Sequence, residues 1–61
     1  MAKMLPESMK SKVVWTTNSL TELQEKMLDA IISGRDEDVY YTFVHDGEDN
    51  AWVTFHGVRN G

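Results

Sequence analysis

Two histidines and a set of carboxylates are the residues in this sequence able to do chemistry. His45, Asp46, Glu48, Asp49 and His56 form the one group with the mixed imidazole and carboxylate character of a metal site. The stretch Asp46-Gly47-Glu48-Asp49-Asn50 lacks the alternating acids, later glycine and distant glutamate of a calcium loop. The strand alternation set out below also sends the two histidines to opposite faces, so no metal is expected. Serine and threonine are plentiful, but none stands in a nucleophile elbow. The glycines at 34, 47, 57 and 61 are scattered rather than gathered into a phosphate-binding loop. Absence of cysteine removes disulfides, thiolate zinc sites and cysteine nucleophiles. Paired carboxylates acting as acid and base need a cleft that 61 residues hardly enclose. The expectation is a protein with no catalytic residues and no cofactor.

What remains is recognition by charge. The formal charge of −4 divides unevenly. Lys3, Lys10 and Lys12 against Glu7 leave the first 12 residues at +2, while Lys26, Arg35 and Arg59 against nine acids leave the remainder at −6. Direct nucleic-acid binding normally shows as a basic patch, because phosphate neutralisation supplies most of the affinity. An acidic field attracts basic protein surfaces instead. The acids fall into three groups: Glu22, Glu25 and Asp29; Asp36, Glu37 and Asp38; and Asp46, Glu48 and Asp49. From residue 22 to 29 of a helix the axis advances about 10 Å. Three phosphates of one DNA strand, each advancing ~3.4 Å, cover a comparable length.

The elements that must position these groups follow from local signals. Residues 1–11 show no periodicity, and Pro6 biases Leu5 away from helix, so a flexible basic arm precedes a single domain over 12–61. Residues 12–17, KVVWTT, read as a strand with Val13, Trp15 and Thr17 on one face. Ser19-Leu20-Thr21-Glu22 fits a capping box, and the helix it opens runs to Ser33, with Gly34 as the left-handed closing residue. Leu20, Leu23, Met27 and Ile31 form its apolar stripe, widened by Leu28 and Ile32 on one side and Ala30 on the other. Glu22, Glu25 and Asp29 lie opposite. Arg35 to Asp38 read as a connector whose acids sit unfavourably beside the helix C-terminus. Val39 to His45 and Ala51 to Val58 are strands joined by a short glycine-containing loop, a hairpin signal, and Asn60 and Gly61 read as a frayed end.

The fold class expected is α+β, a β-α-β-β chain with one amphipathic helix on a three-stranded, mostly antiparallel sheet. The last strand takes the middle position, which gives antiparallel pairs throughout. With a three- or five-residue hairpin loop, Val39, Tyr41, Phe43, Val53 and Phe55 share the face under the helix. Tyr40, Val44 and Trp52 then stay wet on the other; a four-residue loop would exchange the two sets. That surplus of apolar surface points to a homodimer or an apolar protein interface. No apolar run reaches the ~20 residues of a membrane span, and no signal-peptide core is present, so a cytoplasmic protein without membrane contact is expected.

In size, lack of cysteine, a capped helix bearing Glu22, Glu25 and Asp29, and the runs Asp36-Glu37-Asp38 and Asp46-Gly47-Glu48-Asp49, the chain resembles small acidic bacteriophage proteins of host takeover. Within that group it is similar to DNA-mimic inhibitors of basic nucleoid proteins of the HU type. The resemblance covers residues 12–58 in character and rests on no diagnostic motif. It implies a cytoplasmic inhibitor in a bacterial host, holding a basic DNA-binding protein through the nine carboxylates just named, with no direct nucleic-acid contact. An alternative is an adaptor, regulatory or antitoxin-like module that binds through Tyr40, Val44, Trp52 and the sheet edges. A third is single-stranded nucleic-acid binding by stacking on Trp15, Tyr40 and Trp52, for which only Lys12 and Arg59 supply flanking cations.

Overall fold

Ser19 starts the helix, as its capping signature requires. In the computed structural model, which describes residues 3–60, α1 spans Leu20–Ser33. The Ser19 hydroxyl accepts from the Glu22 amide at 3.3 Å. The second half of the expected box is relayed. Glu22 does not return to the Ser19 amide; that amide donates to Thr17 Oγ1 at 3.1 Å, and the Thr17 hydroxyl donates to Glu22 Oε2 at 2.8 Å. Thr17 is buried and satisfied at both ends of this chain. At the other terminus Gly34 adopts φ 67° and donates to the Ile31 carbonyl, while Arg35 donates to that of Ala30. This is the paired closure that a left-handed glycine permits.

Four strands form one mixed sheet: β1 (Lys3–Met4), β2 (Val13–Thr17), β3 (Glu37–His45) and β4 (Ala51–Arg59), in the order β1-β3-β4-β2. The central place of β4 and its antiparallel pairing to both β2 and β3 match the expected topology. The addition is β1, which pairs parallel to β3 at Tyr40 and Tyr41. The five-residue loop closes with the Asp46 amide donating to the Asn50 carbonyl, and Asp49 takes a left-handed φ of 62°. That loop length sets the parity: Val39 faces Gly57, Tyr41 faces Phe55 and Phe43 faces Val53.

Strict alternation fails in β2. The register slips by one residue between Val13 and Trp15, a bulge that sets Val13 opposite Val58 on the even-numbered face, while Trp15 and Thr17 stand opposite Gly57 and Phe55. Trp15 thereby lies flat over Gly57, whose absent side chain leaves room for the indole.

Four further expectations are corrected. Residues 3–11, the described part of the expected arm, do not stand apart from the sheet. Lys3–Met4 enter the sheet, the Leu5 amide donates to the Tyr41 carbonyl at 3.0 Å, and a 3-10 helix over Glu7–Lys12 packs on β4; Met1 and Ala2 lie outside the described residues. This covering of the even face changes its character. Tyr40, expected to be wet, is only 8% exposed with Lys3 Nζ 5.9 Å from its ring centroid, and Val58 is fully buried. Nor does Asn60 fray: its amide donates to the Asp36 carbonyl, and its side chain donates to Asp36 Oδ1 and Asp38 Oδ2. Glu37 and Asp38, expected in a connector, are the first residues of β3.

The helix covers the sheet differently from a centred stripe. Leu23 alone of the stripe is buried; Lys26 and Ala30, on its polar-facing shoulder, are half-buried. Leu20, Leu28, Ile31 and Ile32 face outward, the last two 75% and 76% exposed. The Thr17–Glu22 bond ties the first turn of α1 to the end of β2, and the rest of the helix lies only lightly against the sheet. Beyond Phe55, β4 has no β2 neighbour, so the tip half of the hairpin is a bare two-stranded ribbon with Phe43 and Trp52 exposed on opposite faces.

Candidate functional site

Acidic side chains from α1 and β3 converge where the helix overhangs Trp15. Glu22, Glu25 and Asp29 from the helix and Glu37 from the strand line one open cleft of about 260 Å³, with Trp15 as its floor and Lys26 and Arg35 as its cations. Four carboxylates against two cations leave this cleft at −2. Most of its acids are held in place. Glu37 Oε2 accepts from the Trp15 indole at 3.3 Å, Asp29 pairs with Arg35 at 3.3 Å, and Glu22 is tied to Thr17. Glu25 is exposed. Exposed ion pairs contribute roughly 0–1 kcal/mol, so the Asp29–Arg35 contact orients more than it stabilises.

The other candidate acids are dispersed. Asp36 and Asp38 sit at the same end of the sheet, held by Asn60. Asp46, Glu48 and Asp49 occupy the hairpin tip, where Asp46 Oδ1 accepts from the Glu48 amide at 3.2 Å. Glu37 opens the nine-residue strand β3 and Asp46 follows its end, nine steps along the chain or roughly 30 Å. The nine carboxylates therefore form two groups at opposite ends of the sheet, and six of them gather around the helix-proximal end. Of the apolar candidates, Trp52 is 44% exposed, Val44 half-buried and Tyr40 buried, so these three make no common surface.

Among the described residues no cluster of three or more His, Asp or Glu side chains has metal-binding geometry. His45 pairs with Ala51 and His56 with Tyr40, which puts them on opposite faces. His56 does structural work that its sequence context gave no sign of. Its Nδ1 lies 3.0 Å from Thr16 Oγ1 and its Nε2 3.1 Å from Thr42 Oγ1, so one imidazole bridges β2, β4 and β3. Burial disfavours the charged ring and lowers its pKa below the ordinary 6.5. The unfolded chain then takes up this proton first on acidification, so the His56 contribution is complete above about pH 6.5 and is lost as pH falls toward the lower folded value. Urea midpoints measured across this window should decline toward acid in the native chain, and the decline should shrink in His56→Gln; an equal decline in both would refute the assignment.

Trp15, Lys26 and Arg35 are the cleft residues that sequence reasoning left out of the site. Trp15 gave no sequence signal, because its place opposite Gly57 depends on the register of β2 against β4. No helix of the described residues is long and apolar enough to cross a membrane. No family model, curated protein or solved structure matches the chain.

Proposed function

We propose that this chain is a non-enzymatic acidic binding protein that takes a basic protein partner, and that it does so as a DNA mimic, occupying the nucleic-acid surface of a basic DNA-binding protein. The supporting observation is the convergence of Glu22, Glu25, Asp29 and Glu37 on one cleft, three of them fixed by bonds to Thr17, Arg35 and Trp15. Carboxylates already fixed lose little freedom on meeting lysine or arginine, which is where preorganised recognition gains its affinity. The partner class is a basic DNA-binding protein of the HU type, in a bacterial cytoplasm, and the chain itself makes no nucleic-acid contact.

The test is competition. An HU-type protein is held on fluorescent duplex DNA, and the chain is titrated in at low and at raised salt. Displacement should occur, weaken at higher salt because exposed charges are screened beyond ~8–10 Å, and weaken several-fold in Glu25→Lys/Asp29→Lys. Glu22 is left intact in that variant, since its carboxylate belongs to the helix cap. Displacement by the variant equal to that of the native chain would sink the proposal.

A second reading, a homodimer or adaptor held through apolar surface, draws on the ribbon beyond Phe55, with exposed Phe43 and Trp52 and unpaired strand edges. It requires association that ignores salt and fails in Trp52→Ala.

A further inference from the structure

Five aspartates occur in the chain, and Asp46 alone is followed by glycine. An aspartyl carboxyl and the backbone nitrogen of the next residue can close a five-membered imide. A side chain on that next residue obstructs the approach, and glycine has none. Asp46 lies in the loop between β3 and β4, and His45, Asp46 and Gly47 are all exposed. Asp46 Oδ1 accepts from the Glu48 amide at 3.2 Å, which folds the carboxyl back along the chain that follows it and makes its carbon more electrophilic. The Gly47 amide donates to His45 Nδ1 at 3.3 Å, so the nitrogen beside that carboxyl has a base on its proton. His45 is itself placed by its pairing with Ala51 at the end of β3. Gly47 stands at φ 86°, which residues with side chains adopt only under strain. Electrophile, nucleophile and base therefore meet within three consecutive residues.

We propose that Asp46-Gly47 is a self-modification site, at which the folded chain converts Asp46 to isoaspartate with His45 as the base. The reacting form of Asp46 is the neutral carboxylic acid, since a carboxylate repels an attacking lone pair. The Gly47 nitrogen gives its proton to His45 Nδ1 and bonds to the Asp46 carboxyl carbon. The carboxyl hydroxyl then takes that proton from the imidazolium and leaves as water, which closes the imide. Water next adds to the main-chain carbonyl of Asp46 and breaks its bond to the Gly47 nitrogen. Gly47 is thereafter joined through the former side-chain carbon, and the main-chain carboxyl is freed. Addition to the other carbonyl restores aspartate. Mass is unchanged and water is the only co-reactant. The product carries one more methylene in the chain path. The bonds from the Asp46 amide to the Asn50 carbonyl and from the Glu48 amide to Asp46 Oδ1 fit the original path, so the rearranged tip is looser. Asp49 and Asp38 are followed by Asn50 and Val39, whose side chains crowd the nitrogen, and Asp29 lies within α1.

The native chain, His45→Gln and Gly47→Ala are aged at mildly acid pH and body temperature, each folded in buffer and unfolded in urea. The tip stands clear of the buried residues Leu23, Tyr40 and Val58, so neither substitution threatens the fold. Trypsin releases residues 36–59, which contain Asp46 and exclude Asn60. Reversed-phase separation at constant mass, with electron-transfer fragmentation, then locates isoaspartate. The folded native chain should form it at position 46 faster than at 36, 38 or 49, and faster than the same chain does in urea. His45→Gln keeps an acceptor for the Gly47 amide but no base, and should slow the folded reaction about tenfold. In urea the native and His45→Gln chains should differ far less. Gly47→Ala should suppress the reaction in both states. Absence of isoaspartate at position 46 overturns the proposal. So does a rate in urea that equals or exceeds the folded rate, and so do equal folded rates in native and His45→Gln chains or in native and Gly47→Ala chains.

Discussion

Gly57→Ala is expected to cost about 3 kcal/mol of stability, at the upper end of what overpacking imposes. A Cβ at position 57 would overlap the Trp15 indole at its Nε1, Cε2 and Cδ1 atoms. A long flexible side chain would swing away; the indole cannot, because β2 fixes its base and Glu37 accepts from its nitrogen. Displacing the ring breaks that hydrogen bond and removes the floor shared by both clefts under α1. Against a total of roughly 5 kcal/mol for a domain of this size, the change leaves about 2 kcal/mol, so the chain still folds but with most of its margin gone. Urea unfolding followed by far-ultraviolet circular dichroism measures it. The mechanism makes a second demand, which separates it from a general intolerance of β-propensity change. Trp15→Leu/Gly57→Ala should cost clearly less than the two single changes added together, because a smaller side chain relieves the overlap. Simple additivity, or a Gly57→Ala cost under ~0.5 kcal/mol, would show that the ring is not pinned where it lies.

Thr17→Val should cost about 2 kcal/mol, the second largest effect. Valine preserves shape and strand propensity, so packing changes little. What goes is the hydroxyl, which donates to Glu22 and accepts from the Ser19 amide. The Ser19 N–H is then left without its partner beside a buried site, and the Glu22 carboxylate loses the bond that holds the first turn of α1 to β2. Leaving a buried donor unmatched costs about 1–3 kcal/mol, more than the bond itself contributes. Thr17→Ser retains the hydroxyl and should cost less than half as much. Ser19→Ala, which removes the ordinary cap, should cost about 1 kcal/mol. Should the valine and serine variants prove equally stable by urea denaturation, the relay would have no energetic role.

Features carried by adjacent residues were legible in the sequence. Ser19 to Glu22 announced the helix start and Gly34 its end, because capping depends on atoms within one turn. The hairpin was legible too, but its parity stayed between two arrangements, because a side-chain period of two lets a one-residue change of loop length exchange the faces; the five-residue loop decides between them. What escaped depended on contacts between distant residues. The slip at Val14 leaves no mark in KVVWTT, whose alternation reads equally well without it. Burial of Tyr40 required the first residues to return to the sheet, and Lys3–Met4 is too short a strand to show periodicity. Asn60 looked like a loose end because its partners Asp36 and Asp38 lie 24 and 22 positions away. The convergence of Glu22, Glu25, Asp29 and Glu37 was half visible. The helical spacing was plain, whereas Glu37 joined through the bond from Trp15. The exposure of Leu20, Leu28, Ile31 and Ile32 was not visible at all, because amphipathicity reports which face is apolar and is silent on whether a neighbour covers it.

The uneven neighbourhood of β4 has a consequence of its own. From Phe55 to Val58 this strand is bonded on both sides, by β2 and β3; from Ala51 to Thr54 it is bonded on one side only. Backbone amides on the doubly bonded stretch are released only by opening the sheet as a whole. Those in the ribbon are released by a local fraying that starts at the acidic tip and leaves Trp15, Gly57 and α1 untouched. Amide exchange is therefore expected to be slow along the half of β4 beside the cleft and faster in the half that carries Trp52 opposite Val44.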